Sequence, residues 1–288
     1  MKEPFYFEEQ NKPDNIELLK ASNVAYNNAK SNEFKFSYVF LILGVLYPVA
    51  YILLKNEDVK HSLFAISLFL TVFYQLFNEW FKGNTTMGAL LKEEFDLNVF
   101  GLPRKFMFAD LEPINIGRLA EKYRGNEIID WYSSKISGSI SKNTTIAICQ
   151  RVNSKWDADL RTKFNTSLIS FVISHFLIMI VLGILVLQDF LTSFLLIFSL
   201  ASFYTHFITI IRGNHSAISK RNKIVAKLDS YINHKREFTI ENLRDVQDEI
   251  LSVRQEPSKV PDFFFKKYNP KFKLDHEKYI VRMNALYN

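Results

Sequence analysis

Four apolar segments of membrane-spanning length constrain this chain more than any other feature. They run from Phe36 to Leu54, from Ser62 to Phe81, from Ser167 to Leu187 and from Phe190 to Ile211. An α-helix rises about 1.5 Å per residue, so roughly 20 apolar residues cross a hydrocarbon core of about 30 Å. A chain of 288 residues has too little remaining protein to surround four helices that are apolar on every face. The sequence therefore predicts an all-α membrane protein with four transmembrane helices.

The distribution of lysine and arginine predicts how these helices are oriented. Residues 1–35 contain 5 such side chains, residues 82–166 contain 13 and residues 212–288 contain 16, whereas residues 55–61 and 188–189 contain 2 together. Because cytoplasmic regions near membrane spans are enriched in basic residues, we expect both termini and the long middle region in the cytoplasm. The chain then consists of a cytoplasmic arm (1–35), an antiparallel transmembrane hairpin (36–81), a cytoplasmic helical region (82–166), a second such hairpin (167–211) and a cytoplasmic helical tail (212–288).

A polar segment precedes the third apolar block and belongs to the same predicted helix, because no Gly or Pro interrupts the chain from Asn143 into that block. Two stripes lie side by side on this helix at spacings of three and four residues, which indicates contact with another helix. The apolar stripe is Cys149, Val152, Trp156 and Leu160, and the polar stripe is Gln150, Asn153, Asp157 and Arg161. The expected partner is the helical extension beyond the fourth block, with an apolar seam at Ile218, Ile224, Val225, Leu228, Tyr231 and Ile232.

Shorter elements are expected in the rest of the cytoplasmic regions. Residues 15–30 predict a short amphipathic helix, and the helix that follows the second block should stop at Gly101. In the tail, Thr239 is a suitable N-cap for a helix. Residues 256–270, with three consecutive Phe between prolines, predict an extended segment, and residues 274–288 predict a last short helix.

Neither an enzyme nor a metal site is predicted. The sequence contains no HExxH, P-loop, GxGxxG or GxSxG motif and no zinc-type Cys/His spacing. The single cysteine, Cys149, lies on the apolar stripe without a nearby histidine, so it is interpreted as a small core residue. Glu93, Glu94 and Asp96 are expected on different faces of a helix, as solvated or ion-paired groups. No cofactor is predicted, and the basic residues alternate with acids, which does not favour nucleic-acid binding.

Polar side chains within the apolar blocks form a second set of candidate residues. They are His175 in the third block, His206 in the fourth, and Gln75, Asn78 and Glu79 near the end of the second. Such residues are rare in membrane spans and usually face a bundle interior or water. Two interpretations stay open: hydrogen bonding between helices, or lining of a pore.

Several strings, in this order along the chain, resemble one family. They are NIELLKASNVAYNNAK near the start, KEEFDLNVFGLP after the second block, DWY at 130–132, CQRVNSKWDADLR before the third block and VPDFFF near the end. Together they resemble the SMODS-associated four-transmembrane effectors of bacterial anti-phage (CBASS-like) conflict systems, although VPDFFF departs from the family ending PDWFY. The matching positions are Glu94, Phe95, Asp96, Leu102, Pro103, Asp130, Trp131, Tyr132, Cys149, Gln150, Arg151, Asn153, Trp156, Asp157 and Arg161.

The resemblance implies a non-enzymatic effector in the bacterial inner membrane, encoded beside a nucleotide-second-messenger synthase, that perforates or disrupts the membrane during infection. It implies the lipid bilayer, further copies of the chain, and the nucleotidyltransferase of the same operon or its cyclic nucleotide product as partners. The family supplies no catalytic residue, so its matching positions are interpreted as a coupling and packing motif. An alternative from another class is a non-conducting membrane anchor that recruits a soluble partner through its cytoplasmic helices.

Overall fold

The computed structural model describes residues 3–54, 56–78, 82–105, 112–187, 189–256 and 260–287, without the side chains of residues 57, 75, 77, 78 and 82. All regular structure in these ranges is helical. The helices are α1 (Phe7–Gln10), α2 (Pro13–Leu53), α3 (Glu57–Asn78), α4 (Lys82–Phe100), α5 (Pro113–Ala120), α6 (Lys142–Leu182), α7 (Phe190–Ser199), α8 (Ala201–Asn233), α9 (Ile240–Arg254) and α10 (Asp262–Tyr287). A π-helical turn, Gly183–Leu187, extends α6.

The predicted short N-terminal helix is instead the beginning of a 41-residue helix, α2, which continues without a break through the first apolar block. Pro13 lies in the first helical turn, where its missing N–H group needs no partner. The first half of α2 buries Leu18, Leu19 and Ala25, because other helices pack around it. The short-helix prediction failed because this part of α2 is buried on more than one side. Its apolar residues therefore do not recur at a regular helical spacing.

Helix α6 confirms the predicted continuity between the polar segment and the third block. Its N-cap is Ser141, whose Oγ accepts from the Thr144 N–H at 3.4 Å. It packs along α8, where Ile224, Leu228 and Ile232 of the predicted seam are fully buried. The two-stripe pattern therefore predicted the partner helix correctly.

The fourth apolar block is bent, which the sequence did not predict. Helices α7 and α8 meet at Leu200 at an angle of 51°. A side chain from α3 explains the break: the Ser67 hydroxyl donates to the Ser199 carbonyl, a group that a continuous helix would use internally. The turn before α7 is closed by Asp189, whose carboxylate accepts from the Thr192 N–H at 2.7 Å.

The tail contains two helices, and a helix was predicted at the position of each, although the second begins earlier than expected. Helix α9 begins as expected at Thr239, whose hydroxyl accepts from the Asn242 N–H at 3.1 Å. The expected extended segment is wrong, because its Phe residues belong to the 26-residue helix α10, which includes Pro270. Phe264 packs edge-on against Phe164 of α6 with ring centroids 5.2 Å apart, and this burial outweighs the local preference of the flanking prolines.

Exposed apolar side chains form a continuous surface that we call the apolar belt. It consists of Tyr38, Val39, Ile42, Val45, Leu46, Val49 and Leu53 on α2, Ile66, Phe69, Val72 and Leu76 on α3, Ile173, Leu177, Ile178 and Val181 on α6, and Phe190, Leu191, Phe194 and Phe198 on α7. Among the described residues, α2 and the extended α6 are long and apolar enough to cross a membrane, and the bent α7–α8 pair is a third candidate. The predicted class, an all-α membrane protein, is confirmed.

Beyond the belt, the remaining helices form what we call the polar body: α1, α4, α5, α9 and most of α10, packed around the far ends of α2, α6 and α8. Helix α4 ends at the predicted position. Gly101 adopts a left-handed conformation (φ 64°) and the Leu102 N–H donates to the Leu97 carbonyl at 3.1 Å, which is a Schellman-type C-cap.

Candidate functional site

A cavity of about 280 Å³ lies in the polar body, where α2, α4, α6, α8 and α9 converge. All five strings that carry the family resemblance contribute to its lining. The first half of α2 contributes Asn23, Tyr26 and Asn27, and the polar segment of α6 contributes Asn153 and Trp156. Both helices continue from this cavity into the apolar belt.

The cavity wall is rich in positive charge. Its described lining includes five cationic side chains and a single carboxylate, Asp157: the cations are Lys30, Lys92, Arg161, Arg221 and Arg254. Lys30 is engaged at the rim, where its Nζ lies 2.5 Å from the Asp262 carboxylate. The wall therefore offers groups that bind an anion, although buried acids behind it offset part of the charge.

Lys92 is the most constrained of these cations. Its side chain is 6% exposed, and its Nζ has no hydrogen-bond partner among the described residues. The ammonium group lies 3.7 Å from the Trp131 ring centroid, 4.0 Å from that of Phe95 and 3.6 Å from the Asp96 carboxylate. Burial lowers the pKa of Lys92 well below its usual value, although Asp96 opposes this shift.

Asp157 connects the two long helices at the cavity. Its carboxylate accepts from Arg161 Nε at 2.8 Å, one turn further along α6, and it also binds Arg221 Nε on α8. Arg161 in turn donates to the Asn214 side chain on α8 at 2.8 Å. Burial lowers the pKa of Arg221 to about 10 against the opposing effect of Asp157. Arg161 is buried and Asp157 is half-buried, and their contacts with Arg221 and Asn214 join α6 to α8.

A second polar cluster lies behind the cavity and joins α4 to α9. Arg244 Nη1 donates to Glu93 Oε1 at 2.7 Å, and Gln247 Nε2 donates to both Glu93 (2.7 Å) and Asp96 (3.2 Å). Gln150 Nε2 of α6 donates to the side-chain oxygen Oε1 of Gln247 at 3.0 Å. The expectation that these acids lie on different faces of the helix is therefore wrong for Glu93 and Asp96, which are three residues apart and share one buried face. The ion-paired alternative is the one observed for both.

Charged and hydroxyl partners keep the Asp96 carboxylate ionised in this cluster. Arg254 Nη1 lies 2.7 Å from it, and the Tyr132 hydroxyl donates to it at 2.7 Å. Burial alone would raise the pKa of Asp96, but Arg254 and Lys92 outweigh burial and lower it. Burial raises the pKa of Glu93, which Arg254 and Gln247 oppose.

The Asp130-Trp131-Tyr132 motif is held by the N-terminus. Asn11 and Asp130 exchange two hydrogen bonds, from Asn11 Nδ2 to the carboxylate (2.8 Å) and from the Asp130 N–H to the Asn11 amide oxygen (3.0 Å). Gln10 pairs in the same reciprocal way with the Tyr132 backbone. Asp130 has a left-handed backbone (φ 49°), which aspartate tolerates better than most residues. This turn places Trp131 over Lys92 and Tyr132 on Asp96.

The other motif residues have more peripheral roles. Glu94 accepts from Arg104 Nε at 2.9 Å at the surface, and Arg151 Nε donates to Asp229 of α8 at 2.9 Å. Cys149 is buried in the main core, which confirms its interpretation as a core residue, and burial raises the pKa of its thiol. The structure thus brings together most, but not all, of the predicted coupling residues.

The polar residues of the apolar blocks join helices in this protomer. His175 of α6 contacts the Tyr204 hydroxyl (3.0 Å) and the Gly44 carbonyl (3.1 Å), and His206 of α8 contacts the Ser37 hydroxyl at 2.8 Å. These contacts agree with the interpretation that the histidines form hydrogen bonds between helices. A pore-lining role stays a prediction that concerns an assembly of several copies of the chain. Glu79 and the side chains of Gln75 and Asn78 lie outside the described residues.

Sequence reasoning missed four of the five cavity cations: Lys30, Lys92, Arg221 and Arg254. A signal existed on α9, where Arg244, Gln247 and Arg254 recur at helical spacing beside the apolar seam. A polar stripe of this kind, next to a buried one, indicates polar contacts with a neighbouring helix. Within the described residues no group of three or more His, Cys, Asp or Glu is arranged to hold a metal ion.

These features define a class of protein: a helical membrane protein whose apolar helices continue into a polar body with a cation-lined cavity. The chain belongs to the family of SMODS-associating 4TM effector domains, whose model matches residues 7–283. This confirms the resemblance found in the motifs. The chain is also 27% identical, over 206 residues, to a protein of Bacillus cereus strain VD146 named probable CBASS effector molecule IK1_05631. That match covers 66% of this chain and 67% of the relative, and no solved structure matches the chain significantly.

Proposed function

We propose that this protein is an effector of bacterial anti-phage defence, resident in the inner membrane, that disrupts the membrane when a nucleotide second messenger or its synthase engages the polar body. Family membership and a relative named as a probable CBASS effector support the defence context. On this proposal the polar body and both termini lie in the cytoplasm, where such a signal is made. The protein acts without catalysis.

One observation carries the proposal: the helices that wall the cavity are the helices that enter the belt. Helix α2 runs unbroken from Asn23 at the cavity to Leu53 in the belt, and α6 runs from Asn153 to Leu182. A change in helix positions at the cavity is therefore transmitted along continuous backbone. Packed helices shift between discrete arrangements rather than deforming continuously.

In this proposal, the Asp157 bridge between α6 and α8 holds the helices in the inactive, closed arrangement. Arg161 and Arg221 are held by one carboxylate, and a phosphate competes for the same two guanidinium groups. Such a ligand shifts the equilibrium only if it binds the rearranged state more tightly than the closed one. About 5.5 kcal/mol of differential binding would convert a 1:99 population into 99:1.

The belt also supports self-association. Ser167, Ser170 and Ser174 of α6 are all exposed and recur at spacings of three and four residues, so that they occupy one outward face. Small residues let two membrane helices approach closely. We propose that copies of the chain meet on this face when the membrane is breached.

Dye release from liposomes tests the proposed function. The purified full chain is reconstituted with its neighbouring synthase and nucleotide substrates, and we expect release of a trapped dye only when nucleotide is made. The variant Arg161→Gln should reduce release at least tenfold, whereas Lys122→Gln, at an exposed position outside the cavity, serves as the matched control. Association with the synthase without any dye release would contradict the proposal and favour a non-conducting anchor.

A further inference from the structure

An exposed aromatic and basic cluster occupies the first turns of α10, outside the apolar belt. Phe263 and Phe265 are 64% and 37% exposed, and Lys266 and Lys267, which follow them directly, are exposed as well. Neither lysine forms an ion pair with a described residue. We call these four residues the α10 cluster.

Contacts with α2 and α6 fix the height of the α10 cluster relative to the membrane. The Asp262 carboxylate binds Lys30, six residues before the first apolar block, and the Phe264 ring packs on Phe164, three residues before the third block. At 1.5 Å per residue, these positions lie about 9 Å and about 5 Å from the predicted edge of the hydrocarbon core. Because the headgroup layer on each side of the core is about 5–8 Å thick, the cluster lies at the depth of the lipid headgroups.

The rest of α10 runs away from the membrane. The Arg151 guanidinium lies 3.9 Å from the centroid of the Tyr279 ring, and Arg151 precedes the third block by 16 residues, or about 24 Å. Val281 is also 64% exposed and lies 18 residues after Phe263, which is five helical turns, so the two side chains occupy the same face of α10. Only the beginning of this face is therefore within reach of lipid.

The chemistry of the α10 cluster matches the surface of an anionic bilayer. Aromatic rings are enriched where hydrocarbon meets headgroup, and the stem of a lysine covers apolar surface while its ammonium group reaches a phosphate. Anionic lipids attract basic residues that lie within a Debye length of the membrane. An acidic protein also offers opposite charge, but the position of the cluster directly beside the belt favours lipid.

We infer that the first turns of α10 are a binding site for anionic phospholipid, in which Phe263 and Phe265 enter the boundary between headgroups and acyl chains and Lys266 and Lys267 bind headgroup phosphate. Phe264, between these residues, packs on α6, so the site links the bilayer surface to a helix of the polar body. The inference goes beyond the proposed function, because it requires neither a nucleotide signal nor disruption of the membrane.

A spin label on the full chain in vesicles tests the depth of the site. Phe263→Cys and Val281→Cys each introduce one reactive thiol, since Cys149 is buried. In vesicles that contain phosphatidylglycerol, a water-soluble nickel chelate should relax the label at position 263 at least about threefold less than the label at position 281. Equal access of the chelate to both labels overturns the inference. Phe265→Cys replaces Phe263→Cys if that variant does not fold.

Calorimetric titration of the detergent-solubilised full chain tests the headgroup assignment. The probes are short-chain phosphatidylglycerol, short-chain phosphatidylcholine and inorganic phosphate, each in a separate arm. Phosphatidylglycerol should bind most tightly, and the double variant Lys266→Gln/Lys267→Gln should weaken its binding at least tenfold, because each basic residue near an anionic surface contributes about fivefold in affinity. Lys278→Gln/Arg282→Gln, which removes two exposed cations at the far end of α10, is the matched control and should bind like the wild type.

The other outcomes of this titration contradict the inference in different ways. Equal affinity for phosphatidylcholine, or wild-type affinity in the Lys266→Gln/Lys267→Gln variant, overturns the role of the two lysines. Equal affinity for inorganic phosphate shows a site for a free anion instead of a lipid. An equal loss of affinity in the control variant shows that the net charge of α10, and not the α10 cluster, attracts the lipid.

Discussion

At the scale of single residues, the polar body contains buried side chains whose pKa values differ from those in the unfolded chain. Lys92, Arg221 and Asp96 are held between α4, α8 and α9 in environments that only the folded protein provides. His276 on α10 is a simpler case, because it lies away from the cavity. Its Nε2 is buried without a hydrogen-bond partner among the described residues.

His276 predicts how stability depends on pH. Burial, followed by the nearby Arg151, lowers the pKa of His276 to about 4, whereas Asp159 and Asp275 oppose the shift. Between about pH 6.5, the ordinary histidine value, and pH 4, the unfolded chain binds a proton that the folded chain does not. Stability should therefore be full above pH 6.5 and fall as the pH decreases through this window.

Thermal unfolding in detergent from pH 7.5 to pH 5 measures this effect. The unfolding midpoint of the wild type should fall with decreasing pH, and His276→Gln should fall less. His215→Gln, at an exposed position on α8, should follow the wild type. A His276→Gln profile parallel to the wild type would show that another group governs the acid response.

At the scale of secondary-structure elements, the sequence predicted what neighbouring residues determine and missed what distant contacts determine. The continuity of α6 and the stop at Gly101 follow from local signals: the absence of Gly and Pro in one case, and a left-handed C-cap in the other. The bend at Leu200 has no Gly or Pro nearby, because its cause is Ser67, 132 residues earlier in the chain.

The candidate site shows the same division. The α6 stripes located Asn153, Trp156, Asp157 and Arg161, since a single helix displays its own periodicity. Lys92 could not be found in this way, because its role depends on the convergence of α4 with helices that come later in the chain. Phe264 was misassigned because the prolines around it are a stronger local signal than its contact with Phe164.

Gly44 tests the packing of α2 on α8. A β-carbon at Gly44 would overlap the Phe203 ring, which is itself enclosed by Phe171, Phe207 and His175 and cannot move aside. We expect Gly44→Ala to lower the unfolding free energy by about 1–3 kcal/mol through overpacking. Gly83→Ala, with no atom within 4 Å of the new carbon, should be neutral or stabilising. Equal stability of the two variants in a detergent unfolding assay would refute this packing argument.

At the scale of the whole molecule, long helices join the belt to the polar body. Helices α2 and α6 each run through both regions, and α8 enters the polar body after the bend that separates it from α7. The apolar side chains of the belt are exposed in the protomer, so lipid or further copies of the chain must cover them.

Self-association can be measured by disulfide cross-linking of an introduced cysteine, because the chain's own cysteine is buried. Cys149 is buried and should not react, so Ser174→Cys places one reactive thiol on the outward face of α6. We expect oxidative cross-linking of Ser174→Cys to a dimer in membranes when the synthase is active, and none in the wild type. A monomer under every condition would exclude this face as the contact between copies.

The length of the two unbroken helices sets the sensitivity of the molecule to small movements. Each has 41 α-helical residues and measures about 60 Å, twice the thickness of a hydrocarbon core. Tilting such a helix by about 5° displaces its far end by about 5 Å, which is close to one helical turn. On the proposed function, a small tilt of these helices at the cavity would therefore change which of their surfaces meet within the bilayer.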